Sequence, residues 1–360
     1  MTDKEYLVAL STFTPLGPVR LKLLLSYFKK AGKVWNVRHS DLLNVGIGTK
    51  TAENFIRHRD SFDIGAYFKK LEKLSIKTLT LNDPDYPVNL KEITDAPYVL
   101  YVRGKLVKSD ARAVAIVGTR TMTGYGREVT QKFSSDLANY GITIVSGLAL
   151  GVDAEAQRSA LRAGGRTIAV LASGLDIISP LTNQALALEF IKNHGALVSE
   201  YPLGHVPFKS DFAIRNRLIS GLSKAVIVIE GRIKSGTFYT VNAAAAQGRT
   251  VFAVPGQITS STAEAPNYLI QNGAKLITKT ADIMEELHMQ MIVDREVVEN
   301  IMPGNTDEEK ILKLLDNEAL HLDELVRISD MPASVISARL TFMEMKGMVR
   351  GMGGGIYKKI

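Results

Sequence analysis

The sequence predicts an α/β protein: a doubly wound, mainly parallel sheet of extended Rossmann-like type, with a helical domain before it and a winged-helix-like domain after it. Two observations carry the reading. From about residue 110 to 280, short apolar runs alternate with amphipathic segments of helical period: AVAIV (113–117), ITIVS (142–146), TIAVLA (167–172), ALVSE (196–200), AVIVIE (225–230) and TVFAV (250–254). Unbroken Val/Ile/Ala runs separated by helices are what a parallel sheet buried on both faces requires. On either side the pattern changes to helix alone, which divides the chain into residues 1–62, 63–287, a linker at 288–305, and 306–360.

In residues 1–62, LVALSTF, VRLKLLLSYFKKA, SDLLNV and KTAENFIRHR each space apolar residues three or four apart. Between the last two lies the turn Gly46-Ile47-Gly48, with a weaker copy at Leu16-Gly17-Pro18. This resembles a helix-hairpin-helix (SAM-like) unit, whose turn and following helix N-terminus can face a DNA phosphate. A tight inter-helix turn with a glycine cap accounts for the same residues. Ten Lys/Arg against five Asp/Glu leave this segment at +5. TLTL and YVLYVRG, near residues 78–104, extend the sheet.

After a polar stretch with Pro303 and Gly304 come TDEEKILKLL, HLDELVRIS and PASVISARLTFMEMKG, then the glycine-rich MVRGMGGGIYKKI. Three helices and a two-stranded wing describe a winged helix. Residues 303–360 carry eight Lys/Arg and nine Asp/Glu, and the would-be recognition helix offers only Arg339 and Lys346 as cations. That balance suits a protein-contact module better than a groove reader.

Composition bounds the chemistry. The 360 residues are 46% hydrophobic with a formal charge of +7 and a pI near 9.3, which points to an acidic partner. With no cysteine there is no disulfide, thiolate nucleophile or Cys-ligated metal, in keeping with a reducing, cytoplasmic setting. The six histidines show no metal-ligand spacing, and neither a membrane span nor a secretion signal is evident. No metal and no cofactor are expected.

Ligands on such sheets collect at the carboxyl ends of strands. After the first parallel run come Gly118, Thr119 and Arg120, then a helix beginning near Thr123 or Gly124. Glycine admits a phosphate, the helix N-terminus offers N–H groups, and Arg120 can clasp an anion. After the second run, Ser146, Gly147 and Gly151 pare down the backbone, with Asp153 placed as an N-cap. The turn Lys234-Ser235-Gly236-Thr237 precedes another helix and is a further phosphate candidate. The stretch PFKSDFAIRNRLISGLSKAVIVIEG sets Lys209, Arg215 and Arg217 around Phe212 and Asn216, cations beside an aromatic ring, as single-stranded nucleic acid requires. Asp153, Glu200 and Glu230 end strands but lack the dense spacing of a metal-dependent phosphodiesterase or a definable glycosidase pair, and read as structural caps. There is no GxxxxGK[ST] loop and no GxGxxG fingerprint.

AIVGTR, IVSGLALGVDAEA, TIAVLASGLDII, SEYPLG, FAIRNRLISGLSKAVIVIEG, KSGTF, AAAQGRTVFAVPGQI and NYLIQNGAKLI occur in order across residues 80–280. Together they resemble the DNA-processing protein A family, also called DprA or Smf. The resemblance implies a non-enzymatic, cytoplasmic protein with no catalytic residue that protects incoming single-stranded DNA. It also implies loading of the RecA recombinase during natural transformation, and a homodimer formed through the Rossmann-like domain. By motif, Arg120 of the Gly118-Thr119-Arg120 turn resembles the family's phosphate-binding arginine, and Lys209 and Phe212 its second cation and stacking ring. Arg215, Asn216 and Arg217 fall in its RNR element, with Ser146, Gly147, Ser235 and Gly236 lining the same pocket. Gln157 replaces a usual histidine and Ser179 a usual tyrosine, and the glycine commonly found before Asn267 is missing. None of these removes a cation or the ring. The enzyme alternative is a nucleoside-monophosphate phosphoribohydrolase resembling the lysine-decarboxylase-like group, whose PGGxGTxxE element is poorly matched by PGQITSST at residues 255–262.

Overall fold

Every central strand of the sheet is buried along its whole length, as two-sided covering by helices demands. The computed structural model describes residues 1–192, 195–233, 235–289, 306–316, 318–329, 331–345, 348–353 and 355–360; the linker residues 290–305, His194, Lys234 and Lys346 lie outside these. The chain divides into two compact units, Met1–Gln290 and Met291–Ile360.

The first unit holds nine strands: β1 (Ile76–Thr80), β2 (Val99–Gly104), β3 (Val114–Val117), β4 (Ile144–Ser146), β5 (Thr167–Val170), β6 (Ala196–Ser199), β7 (Ala225–Val228), β8 (Thr250–Ala253) and β9 (Lys275–Leu276). Their order is β1-β2-β6-β5-β4-β3-β7-β8-β9. β1 and β2 extend the sheet as anticipated but run antiparallel, while β6 through β9 form parallel pairs. β9 is short and exposed and was not legible as a strand. The chain winds from β3 outward to β6, then returns to β7 on the other side of β3. The order therefore reverses between β3 and β7, and there the connecting loops part to leave a crevice.

Helices Gly124–Asn139 and Val152–Arg162 cover one face through Phe133, Leu137, Ala156 and Ala160. Helices Lys209–Gly221 and Thr237–Ala246 cover the other through Leu218, Ile219, Val241 and Ala244.

The first 61 residues make five helices: Asp3–Ser11, Pro18–Phe28, Ala31–Trp35, His39–Asn44 and Thr49–Ser61. They close on a core of their own that includes Leu10, Leu24, Leu42 and Phe55, each fully buried. VRLKLLLSYFKKA is not one helix: Lys29 takes a left-handed φ of 67° and ends it at Phe28, so that an additional helix, the third of the five, starts at Ala31. The Gly46-Ile47-Gly48 turn is formed as predicted. Gly46 has φ 92°, which favours glycine, and buried Ile47 plugs the turn into the core.

The second unit is a winged helix. Its helices Thr306–Leu314, Leu322–Ser329 and Ala333–Met345 pack Ile311, Leu325, Ile336 and Leu340 beneath a sheet ordered β10-β12-β11. The wing is β11 (Val349–Gly353) with β12 (Ile356–Lys359), and β10 (Leu320–His321) pairs with β12, so HLDELVRIS opens as a strand before becoming helix.

Candidate nucleic-acid interface

The crevice at the strand-order reversal is a cleft of about 830 Å3. It is walled by the loop after β3, the loop after β7 with the start of the helix Thr237–Ala246, and the helix Lys209–Gly221, with Ala149 and Asp153 after β4 completing the lining. That helix begins where it does because the Asp211 carboxylate accepts the Phe208 N–H at 2.9 Å. Its winding then sorts the side chains. Residues three, four and seven apart share a face, so Lys209, Phe212, Ala213 and Asn216 look into the cleft. Asp211, Ile214 and Arg217 look out on the opposite side.

Arg217 is therefore not brought to the cleft with the other cations. It donates to Glu200 at 2.5 Å and pairs with Asp95 at 3.2 Å. Arg215 reaches the cleft wall but is only 4% exposed. Its Nη1 donates to the carbonyls of Val170 and Gly147, and it sits opposite buried Asp153. Burial pushes the guanidinium down to about 10, against the pull of Asp153, and burial likewise pushes Asp153 up. Arg215 is thus a structural cation.

Arg120 and Lys209 are different. Both are exposed, and among the described residues neither has a carboxylate partner. Phe212, half-buried, lines the cleft with them, with the Arg120 guanidinium 5.7 Å from its ring centroid and that of Arg215 at 5.9 Å. Contacts at this distance are cation–π attractions.

The turn after β3 works differently from its sequence-based reading. The Thr119 N–H donates to the Glu230 carbonyl at 2.8 Å, and its carbonyl accepts from Val152 at 3.1 Å. A Cβ on Gly118 would lie 2.7 Å from Val152 Cγ2, so this glycine serves close packing of loop on loop. The anion at the start of the helix Gly124–Asn139 is Glu230 itself. Its carboxylate accepts the Thr123 N–H at 2.9 Å and the Thr123 hydroxyl at 2.6 Å. The Thr262 hydroxyl donates to it at 3.0 Å. Thr123 is the N-cap, its hydroxyl oxygen accepting the Gly126 N–H at 3.0 Å, and the Glu230 carboxylate holds Thr123 in place beside the positive end of the helix dipole. Glu230 thus acts structurally, one step behind the cap, and puts a carboxylate where a phosphate was expected, which leaves Arg120 as the anion-binding element of this loop.

Ser146 and Gly147 were expected to line the pocket and do not. Ser146 is fully buried, its hydroxyl donating to Ile116 at 2.7 Å. Gly147 lies behind the cleft wall: its N–H donates to Asp153 at 3.1 Å, and a Cβ would come within 2.7 Å of the Arg215 guanidinium. Asp153 is not the N-cap either. Gly151 holds that position with φ 76°, and Asp153, inside the first turn, reaches back to the loop instead.

On the third side Ser235 and Gly236 line the cleft as anticipated. Asn216 donates to the Gly236 carbonyl at 3.2 Å and ties helix to loop, while the buried Ser235 hydroxyl oxygen has no hydrogen-bond partner. The helix Thr237–Ala246 starts here with no side-chain cap and no acidic residue in its first turn. Tyr239, 58% exposed, and Thr240 also line the cleft and were missed; an aromatic residue in the first turn after a glycine was the available signal.

Gln157 is fully buried with its amide donating to Ile168 at 3.1 Å, away from the cleft. Residues 255–260, which the hydrolase alternative would need, border a neighbouring pocket. Among the described residues no three histidines or carboxylates converge as a metal site, and no helix is long and apolar enough to cross a membrane.

Comparison with known proteins places this geometry. The family model for DNA recombination-mediator protein A matches residues 77–288, and the DprA winged helix domain model matches 299–355. Protein Smf of Synechocystis is 34% identical over 99% of this chain and 99% of its own length. DNA processing protein DprA of Bacillus subtilis is 42% identical over 62% of this chain and 78% of its length. The X-ray structure of DprA from Streptococcus pneumoniae superposes with a TM-score of 0.69 at 34% identity, covering 79% of this chain and 98% of that one. That of DNA processing protein A from Helicobacter pylori, described for its single-stranded DNA binding mode, gives 0.54 at 32% identity, covering 60% and 96%. The DprA relatives are named for DNA processing and not for a catalysed reaction. With an ordered match across its sheet domain and a second across its winged helix, the chain belongs to the DNA recombination-mediator protein A family.

Proposed function

We propose that the cleft binds single-stranded DNA, with Arg120 and Lys209 on successive phosphates and one base stacked on Phe212. The carrying observation is that these two cations, alone among those read from the RNR stretch and the β3 turn, stand exposed without a carboxylate and line one cleft with the Phe212 ring. A flexible strand with unstacked bases supplies both the charge and the π-face that this arrangement wants; a duplex keeps its bases inside. Gly118, Thr119, Asn216, Ser235 and Gly236 shape the walls, Arg215 stands 5.9 Å from the ring centroid, and the Gly147 carbonyl holds Arg215. The Helicobacter pylori relative supports the choice of ligand. No reaction is assigned: Glu230 caps a helix, Glu200 pairs with Arg217 and Asp153 faces Arg215.

In this reading the chain acts in the cytoplasm as a homodimer through its Rossmann-like domain. It protects incoming strands and loads RecA recombinase onto them during natural transformation, as the family resemblance implies. RecA filament growth on strands precoated with a single-strand-binding protein is the test. The chain is expected to quicken growth and the Arg120→Ala, Lys209→Ala double variant to do so far less; no acceleration by the unaltered chain would count against loading.

A further inference from the structure

A second groove, of about 450 Å3, opens on the far side of the helix Lys209–Gly221. One wall is the turn at residues 15–18 that starts the helix Pro18–Phe28, a weak hairpin motif for which the cleft has no use. The other includes Tyr201, His205 and Phe208. The lip is apolar and open: Val19 is 76% exposed, Phe208 70% and Ile214 48%.

The floor is Glu200. Its side chain is 10% exposed; Oε2 accepts from Arg217, while Oε1 is buried and accepts no hydrogen bond. A buried carboxylate oxygen without a donor is unfavourable, and an incoming N–H relieves it. The neighbouring acids are already engaged. Asp95 pairs with the same Arg217, and Asp211 accepts the Phe208 N–H and meets His205 Nε2 at 2.8 Å.

The groove also adjoins the cleft. Phe208, on its lip, directly precedes Lys209, which lines the cleft, so the two openings meet at the start of one helix. Across the groove the helix Pro18–Phe28 begins with no side-chain cap and no acidic residue in its first turn. An exposed ring, a buried carboxylate oxygen without a donor and an uncapped helix start thus border one groove that adjoins Lys209.

We infer that this groove is a second nucleobase site for the same single strand: a base stacks on Phe208 and directs a ring or amino N–H to Glu200 Oε1, its phosphate staying at the lip. The inference rests on strand binding in the cleft. A nucleobase carries a flat apolar face and an N–H edge together, which an aliphatic protein anchor does not, and carboxylates accept from cytosine N4 in established readout.

Fluorescence anisotropy of the full chain with labelled oligo(dC) of two lengths tests it. Phe208→Ala is expected to weaken an oligonucleotide of about 20 nucleotides roughly tenfold and to leave one of about 6 nearly unchanged, whereas Phe212→Ala weakens both. Val19→Asp, at an exposed position, should repeat the length-dependent loss. A 2-aminopurine scan should find a position whose fluorescence change on binding is lost in Phe208→Ala. If Phe212→Ala weakens binding and Phe208→Ala does not at either length, this inference is overturned, the cleft reading survives, and the lip belongs to a protein partner. If neither variant weakens binding, both fail.

Discussion

Replacing Arg215 with alanine is expected to destabilise the first unit by several kcal/mol, since it leaves two buried carbonyls without their donor, at about 1–3 kcal/mol each, and buried Asp153 without the nearby positive charge. Asp153 is 7% exposed, and beyond Arg215 its support includes the Gly147 N–H. The guanidinium also satisfies two carbonyls that no water reaches. Urea unfolding followed by Trp35, the single tryptophan, reports the loss as a lower midpoint with an unchanged slope. Adding Asp153→Asn should recover a large part of it, because the uncompensated charge goes with the acid. pH supplies an independent check. Burial already raises the Asp153 carboxyl and Arg215 opposes that shift, so without the arginine the carboxyl climbs further. A raised acid is penalised at pH values above its folded pKa and relieved below it, so the variant's deficit shrinks as pH falls from 7 toward the ordinary carboxylate range. A deficit below about 1 kcal/mol, the scale of an exposed interaction, would show that Arg215 has no buried structural role.

The second large effect is on binding. Phe212→Ala should cost roughly 1–3 kcal/mol of single-strand affinity, the range measured for a base stacked on an aromatic side chain. Part of that loss is indirect, since the ring also positions the Arg120 guanidinium 5.7 Å from its centroid. Phe212→Trp keeps a π-face and should restore most of the affinity, whereas Phe212→Leu keeps the apolar bulk and should not. Equal binding by leucine and tryptophan variants would mean that the ring serves only as packing.

How much of this was legible beforehand follows from physics at particular residues. The parallel strands read clearly because burial on both faces leaves an unbroken apolar run, as in Ala225–Val228. β9 did not, since two exposed residues at an edge carry no pattern. The phase of the helix Lys209–Gly221 was the costly omission. One of its sides forms the cleft and the other meets Asp95 and Glu200, so polar residues fall on both and the pattern does not tell which cations share a face. Without the helical phase, Lys209, Arg215 and Arg217 look equivalent. The fold makes them an exposed cation, a buried strut and an ion pair on the far side. Glu230 was read as structural, yet nothing in a glutamate after a strand tells that it sits at one of the helix N-termini expected to take a phosphate.

The central claim is that two exposed cations, Arg120 and Lys209, carry the phosphate contacts of the cleft. The direct measurement is oligonucleotide affinity across a salt series for the unaltered chain, Arg120→Ala and Lys209→Ala. Each loss of a phosphate contact should flatten the log–log slope by roughly 0.7, with single strands bound more tightly than duplex throughout. Unchanged slopes in both variants, or equal affinity for duplex and single strands, would contradict the account.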